Sequence, residues 1–259
     1  MSKPRVAFFD FACCEGCQLQ IVNLEEELVD LLGQVDVVEF REAISDRSDD
    51  YDIAFIEGSI TRPQDEERLR HIRSRAKILI AFGSCATTGG VNALKNNFDL
   101  DEVKRCVYGD AAKMPHLATG LTKAAHEVVP VDYKIHGCPV NRDEVKYIVR
   151  CLLMGKQPEI PNYPVCVECK MKENQCRFEL GEVCMGPITR AGCGACCPSA
   201  SFWCYGCRGM VDDPNTQAAF DVLEKWGVTV EELKSRMKMF CSNKEASGLQ
   251  VPEQEKQNV

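Results

Sequence analysis

The 259 residues are enough for one large or two modest domains with a sizeable core. The composition is globular, 45% hydrophobic and 27% charged, and the net charge of −8 comes with no basic stripe, which argues against nucleic-acid binding. No window nears 18 consecutive apolar residues, so no membrane span is expected. The opening MSKPRVAFFDFACCEGC is too short an apolar run, broken at Asp10, to be a secretory signal.

Residues 1–155 alternate strand and helix patterns. RVAFFDFA (5–12) is a short apolar run and predicts a buried strand. Leu19, Val22, Leu24, Leu28, Leu31 and Leu32 mark one face of a single helix ending near Gly33. VDVVEF (35–40), YDIAFIEG (51–58) and KILIAFGSC (77–85) predict further strands, and PQDEERLRHIRSR (63–75) a charged surface helix opened by Pro63. A last strand is expected near VVPVDYKIHG, followed by a helix over 141–155 with Asn141 as cap and Gly155 as stop. Strands separated by helices imply parallel pairing in an open α/β sheet.

From residue 156 the composition shifts. KQPEIPNYP carries three prolines and reads as a linker, which divides the chain into domains at 1–155 and 156–259. Residues 166–207 hold nine cysteines among Gly- and Pro-punctuated loops, too poor in branched aliphatics for an apolar core. Disulfides, structural zinc or iron–sulfur clusters must then hold that block. Residues 215–227 and 230–240 predict two short helices, and the last eighteen residues a tail or a strap on a partner.

Seventeen cysteines with no secretory signal favour metal over disulfides, and an odd count fits a disulfide framework poorly. Cys14 and Cys17 follow the first strand, Cys85 the fourth and Cys138 the last, all at carboxyl ends, where an open α/β sheet has its ligand crevice. Four thiolates there are what a cubane cluster requires, and the neighbouring glycines allow close backbone approach. A thioredoxin-like Cys14–Cys17 redox pair would leave Cys85 and Cys138 without a role. Gln18, Lys170 and Arg208 stand where a c-type haem motif needs histidine, and no Gly-rich nucleotide motif occurs. ACCEGC also lacks the Ser/Thr-rich phosphate loop expected of a flavin site.

Two further sets of four lie beyond residue 160: Cys166, Cys169, Cys176 and Cys184, then Cys193, Cys197, Cys204 and Cys207. Two zinc sites would fit the Cys-x2-Cys pairs, but the sets follow one another as a relay would. Their spacing is not that of a bacterial-type ferredoxin. Of the adjacent pair, Cys197 is preferred to Cys196 because Pro198 follows it, as Pro139 follows Cys138. Cys13, Cys106, Cys151, Cys196 and Cys241 are left as core or surface thiols.

Cys14-Glu15-Gly16-Cys17, Glu57-Gly58-Ser59, Gly83-Ser84-Cys85 and Gly137-Cys138-Pro139 resemble the fingerprint of NiFe-hydrogenase small subunits, shared with an iron–sulfur subunit of Complex I. Cys184-Met185-Gly186-Pro187, Gly192-Cys193 and Cys204-x2-Cys207 resemble the hydrogenase branch alone. The absence of a twin-arginine signal, and cysteine rather than histidine at 166, resemble the cytoplasmic branch that includes sulfhydrogenases and the hydrogenases coupled to heterodisulfide reductase. The resemblance implies a flavodoxin-like first domain followed by an irregular cysteine-rich iron–sulfur domain, and three 4Fe-4S clusters. Cys14, Cys17, Cys85 and Cys138 would hold the proximal one, the Cys193 set the medial one and the Cys166 set the distal one. It also implies two partners, the NiFe large subunit and a further flavin or iron–sulfur subunit that accepts electrons. Glu15 and Glu57, beside the proximal ligands, are expected either to move protons or to bias that cluster, or else to be polar groups at an interface rim. The competing readings are a Complex I-like subunit without hydrogenase activity and a zinc scaffold.

Overall fold

The structure, a computed structural model, describes residues 3–214 and 216–242. Five parallel strands form one sheet: β1 (Arg5–Asp10), β2 (Asp36–Phe40), β3 (Ile53–Glu57), β4 (Ile78–Phe82) and β5 (Tyr133–Ile135). Their spatial order is β2-β1-β3-β4-β5, the doubly wound order of flavodoxin-like folds. The expected α/β sheet is therefore present. Phe8, Phe55, Ile80 and Phe82 point to one face, and Ala7, Phe9, Ala54, Ile56 and Leu79 to the other, so both faces carry a core. Phe8 stacks on Phe40 and Phe55 at centroid distances of 4.5 and 4.7 Å. In register, Asp10 lies beside Glu57, Glu57 beside Phe82 and Phe82 beside Ile135. The four strands β1, β3, β4 and β5 thus end on one line, and the turns after them share one sheet edge.

The helix expected after β1 is two helices, α1 (Gly16–Val22) and α2 (Glu26–Leu32). Arg142 donates to the Asn23 carbonyl at 2.8 Å, closing α1, and Glu25 turns the chain at φ 56°. Leu24, in the turn between the two helices, is buried. Helix α3 (Pro63–Arg75) has the predicted bounds. The stretch 84–127 holds α4 (Ser84–Thr88), α5 (Leu100–Tyr108) and several 3-10 turns. Strand β5 is short, because Pro130 has no N–H for the ladder and the chain before Tyr133 turns instead; Asp132 caps the Leu79 N–H at 2.7 Å. Helix α6 (Arg142–Leu153) is capped by Asn141, whose side chain accepts from the Asp143 and Glu144 N–H groups.

Beyond the linker lie α7 (Val165–Met171), α8 (Cys196–Ser199), α9 (Thr216–Lys225) and α10 (Val230–Met237). The cysteine block does have an apolar core, contrary to the expectation from its composition. Val165, Phe178, Met185 and Ile188 pack with Leu223 of α9 and Leu233 and Met237 of α10. Those last residues come from outside the block, so its own sequence under-reports the core it joins. The tail expected over the last eighteen residues lies, past Ser242, outside the described residues.

Candidate metal centres

The first set forms where the strands end. Cys14 and Cys17 flank the start of α1, Cys85 lies in α4 just past β4, and Cys138 follows β5. Cys85 is within electrostatic reach of Cys138 and Cys14, and Cys17 of Cys138. Glycine makes the approach possible at two points. A Cβ on Gly83 (φ 86°) would lie 2.4 Å from the Cys17 sulfur, and one on Gly90 (φ 57°) 2.9 Å from the Cys85 sulfur. Glu57 is not a rim residue. It is 3% exposed and accepts the Cys17 and Gln18 N–H groups at 3.0 and 2.9 Å, pinning the first turn of α1. Glu15 is partly exposed and left-handed at φ 60°; a hydrogen bond to Glu42 raises its carboxyl above the usual range.

In the second set Cys166 and Cys169 sit on α7, with Cys176 and Cys184 on the loops after it. Cys166 feels Cys184, Cys169 and Cys176. A Cβ on Gly186 would meet the sulfurs of Cys166 and Cys184 at 3.2 and 3.5 Å. In the third set Cys197 is in reach of Cys207 and Cys193. Cys196 and Cys197 place their sulfurs 3.9 Å apart, Cys196 being the more exposed. Glu168 of α7 accepts the Gly192 and Ala195 N–H groups at 2.8 and 3.1 Å and so ties the loop around Cys193 to α7.

The sets touch one another. The Ser84 hydroxyl, beside Cys85, donates to the Cys207 carbonyl, and Cys138 is within electrostatic reach of Cys207. The Cys204 N–H donates to the Cys184 sulfur at 3.2 Å. The set that comes last in the sequence therefore lies between the other two.

All seventeen cysteines are free thiols. Burial pushes Cys85, Cys166, Cys197 and Cys207 up to about 12, and Cys17 and Cys204 are raised as well. Left to themselves these thiols stay protonated, and a bound cation is what favours thiolate. Among the described residues, no three His, Cys, Asp or Glu side chains close on the position of a single ion. Sulfur-only donor sets, glycine-lined and fed by backbone N–H groups, fit iron–sulfur clusters.

Residues 14–152 match the family described as NADH ubiquinone oxidoreductase, 20 Kd subunit. The chain is also 36% identical to sulfhydrogenase 2 subunit delta of Pyrococcus furiosus, over 92% of its own length and 99% of that protein. It belongs to this family, on the hydrogenase branch. The F420-non-reducing hydrogenase vhu of Methanococcus voltae contributes a further relative, 34% identical over 82% of this chain and 84% of its own. Among solved structures, a chain of an NAD+-reducing [NiFe]-hydrogenase in the H2-reduced state superposes with a TM-score of 0.57 and 28% identity. That match covers 62% of this chain and 96% of the other. As a member of the hydrogenase branch, the chain is one component of an oxidoreductase complex acting on hydrogen. No helix among the described residues is long and apolar enough to cross a membrane.

Sequence reasoning found the cysteines but missed what surrounds them. Gly90, Glu168 and Arg208 were not singled out for a role at the site. Arg208 carries a visible signal, a lone arginine wedged between Cys207 and Gly209, yet nothing local says that it is buried.

Proposed function

We propose that this chain is the electron-transfer subunit of a NiFe hydrogenase and holds three 4Fe-4S clusters. Cys14, Cys17, Cys85 and Cys138 ligate the proximal cluster, Cys193, Cys197, Cys204 and Cys207 the medial one, and Cys166, Cys169, Cys176 and Cys184 the distal one. Residues 1–155 form the domain of the proximal set and residues 156–259 that of the other two. The observation that carries this is the pair of hydrogen bonds linking neighbouring sets, Ser84 beside Cys85 to Cys207 and Cys204 to Cys184. They leave the three sets adjacent in series, with the Cys193 set in the middle.

Each cluster, when bound, supplies a site that accepts and releases one electron. The chain's own residues hold and tune it. Gly83 and Gly90 leave room for sulfur against the backbone. The Cys204 N–H donates to the Cys184 sulfur, and the backbone at Val140, Gly186 and Gly206 favours the charged forms of Cys17, Cys184 and Cys204. Electrons enter from a NiFe large subunit beside the first set and leave to a flavin or iron–sulfur subunit beside the Cys166 set. The cytoplasm, a reducing compartment, suits seventeen free thiols. A Complex I-like role without hydrogenase activity draws support from residues 14–152 alone, whereas the delta-subunit relative extends over the cysteine block too.

The test is Cys207→Ala in the purified complex. Hydrogen should still reduce the cluster held by Cys14, while reduction of the one held by Cys166 is lost. Unimpaired reduction of the latter would break the proposed order.

A further inference from the structure

Arg208 is the largest fully buried side chain in the described structure, 1% exposed, and it stands directly after a cysteine of the third set. Four hydrogen bonds fix it. Its Nε donates to the Ala191 carbonyl at 2.7 Å and its Nη1 to the His136 carbonyl at 2.6 Å. Nη1 and Nη2 then clasp the two oxygens of Glu144 at 2.7 and 2.6 Å. Ala191 precedes the Gly192-Cys193 loop, His136 precedes Gly137-Cys138, and Glu144 belongs to α6, so one guanidinium ties both cysteine loops to the first domain's last helix. Gly192 leaves the space: a Cβ there would lie 2.4 Å from Nη2 and 2.9 Å from Cζ. The side chain also lines the cleft shared by Cys138, Cys193, Cys197 and Cys207.

A buried ion pair is weak grounds for stability, since a well-packed apolar pair does as well or better. Its retention beside a run of thiols calls for another role. We infer that Arg208, held by Glu144, is a positioning charge that raises the reduction potential of the cluster bound by Cys193, Cys197, Cys204 and Cys207. This rests on the proposed cluster assignment. Cys193 and Cys207 both lie within electrostatic reach of the guanidinium. A reduced cluster carries one more negative charge than an oxidised one, and a fixed cation nearby favours the reduced form, strongly so where water is excluded. Glu144 orients the cation and partly offsets it; Arg208, and not Glu144, is among the charges that act most on Cys193 and Cys207, so the pair presents its positive end to the sulfurs.

The two halves of the pair therefore carry opposite signs. In the anaerobically purified hydrogenase complex, Glu144→Gln should raise the potential of the middle cluster and Arg208→Gln should lower it, read by EPR-monitored redox titration. The apolar double variant Arg208→Met with Glu144→Leu removes both charges without leaving one buried and unpaired. It should also lower that potential, by a tenfold change in the reduced-to-oxidised ratio, or about 59 mV for one electron. The other two clusters should move much less. An unchanged potential in the double variant, same-direction shifts in the two single variants, or loss of the middle cluster's iron from the double variant would each overturn the inference. The native complex serves as the control on the underlying reading. If its middle cluster gives no EPR signal and no iron, the assignment itself fails, whatever the variants do.

Discussion

Glu57 gives a sharp test of how the first cysteine set is held. Its buried carboxylate is the acceptor for two N–H groups, those of Cys17 and Gln18, at the start of α1. Replacing it with alanine leaves both donors buried and unmet, at about 1–3 kcal/mol each. The local opening free energy of that turn should therefore fall by at least about 2 kcal/mol, which at about 1.4 kcal/mol per decade is roughly a 30-fold faster amide exchange. Glu57→Gln keeps one oxygen for one of the two amides, so it should fall between wild type and alanine, near fivefold for a loss of about 1 kcal/mol. The assay is hydrogen exchange by mass spectrometry on the intact complex, following the peptide that spans Cys14 to Val22. Exchange within twofold of wild type in the alanine variant would refute the anchoring role and return Glu57 to an ordinary polar residue.

Gly83→Ala places a Cβ 2.4 Å from the Cys17 sulfur at a backbone φ of 86°, so anaerobic iron content should drop by about one four-iron cluster. Full iron retention would show that the close approach is not needed. Cys197→Ser should remove the middle cluster's EPR signal while Cys196→Ser leaves it; the reverse ranking would make Cys196 the ligand. Asp52 accepts the Arg5 N–H at 2.8 Å and pairs with Lys77 at 2.7 Å, and the N–H bond first, then Lys77, holds its carboxyl below the usual range. Because the folded value is the lower one, its stabilisation is present above about pH 3.9 and is lost as pH falls through the folded value. Asp52→Asn should flatten the acid limb of a thermal-midpoint profile; an unchanged limb would remove Asp52 from it.

The strands were legible because β1, β3 and β4 are buried on both faces and read as unbroken apolar runs. Helices α3 and α6 were legible from Pro63 and Asn141, residues whose backbone chemistry marks a helix start. The break between α1 and α2 was not, because it depends on Arg142 reaching the Asn23 carbonyl from far along the chain. The region 84–127 went unread as well: its 3-10 turns and five-residue α4 have no apolar period, and α5, although capped by Asp99, buries none of its residues. The twelve candidate ligands came from spacing and strand-end placement. Which sets are neighbours was implied only by the family resemblance, since the order in space departs from the order along the chain. Buried charges such as Arg208 and Glu144 are also invisible locally, because their burial is decided by partners 64 residues apart.

We propose conduction of electrons by this chain through three clusters in series. Mössbauer spectroscopy and metal analysis of the anaerobically purified complex test it most directly. About twelve iron atoms in cubane environments are expected on this chain, in addition to the iron of the nickel–iron site. Two or three zinc ions in place of that iron would contradict it.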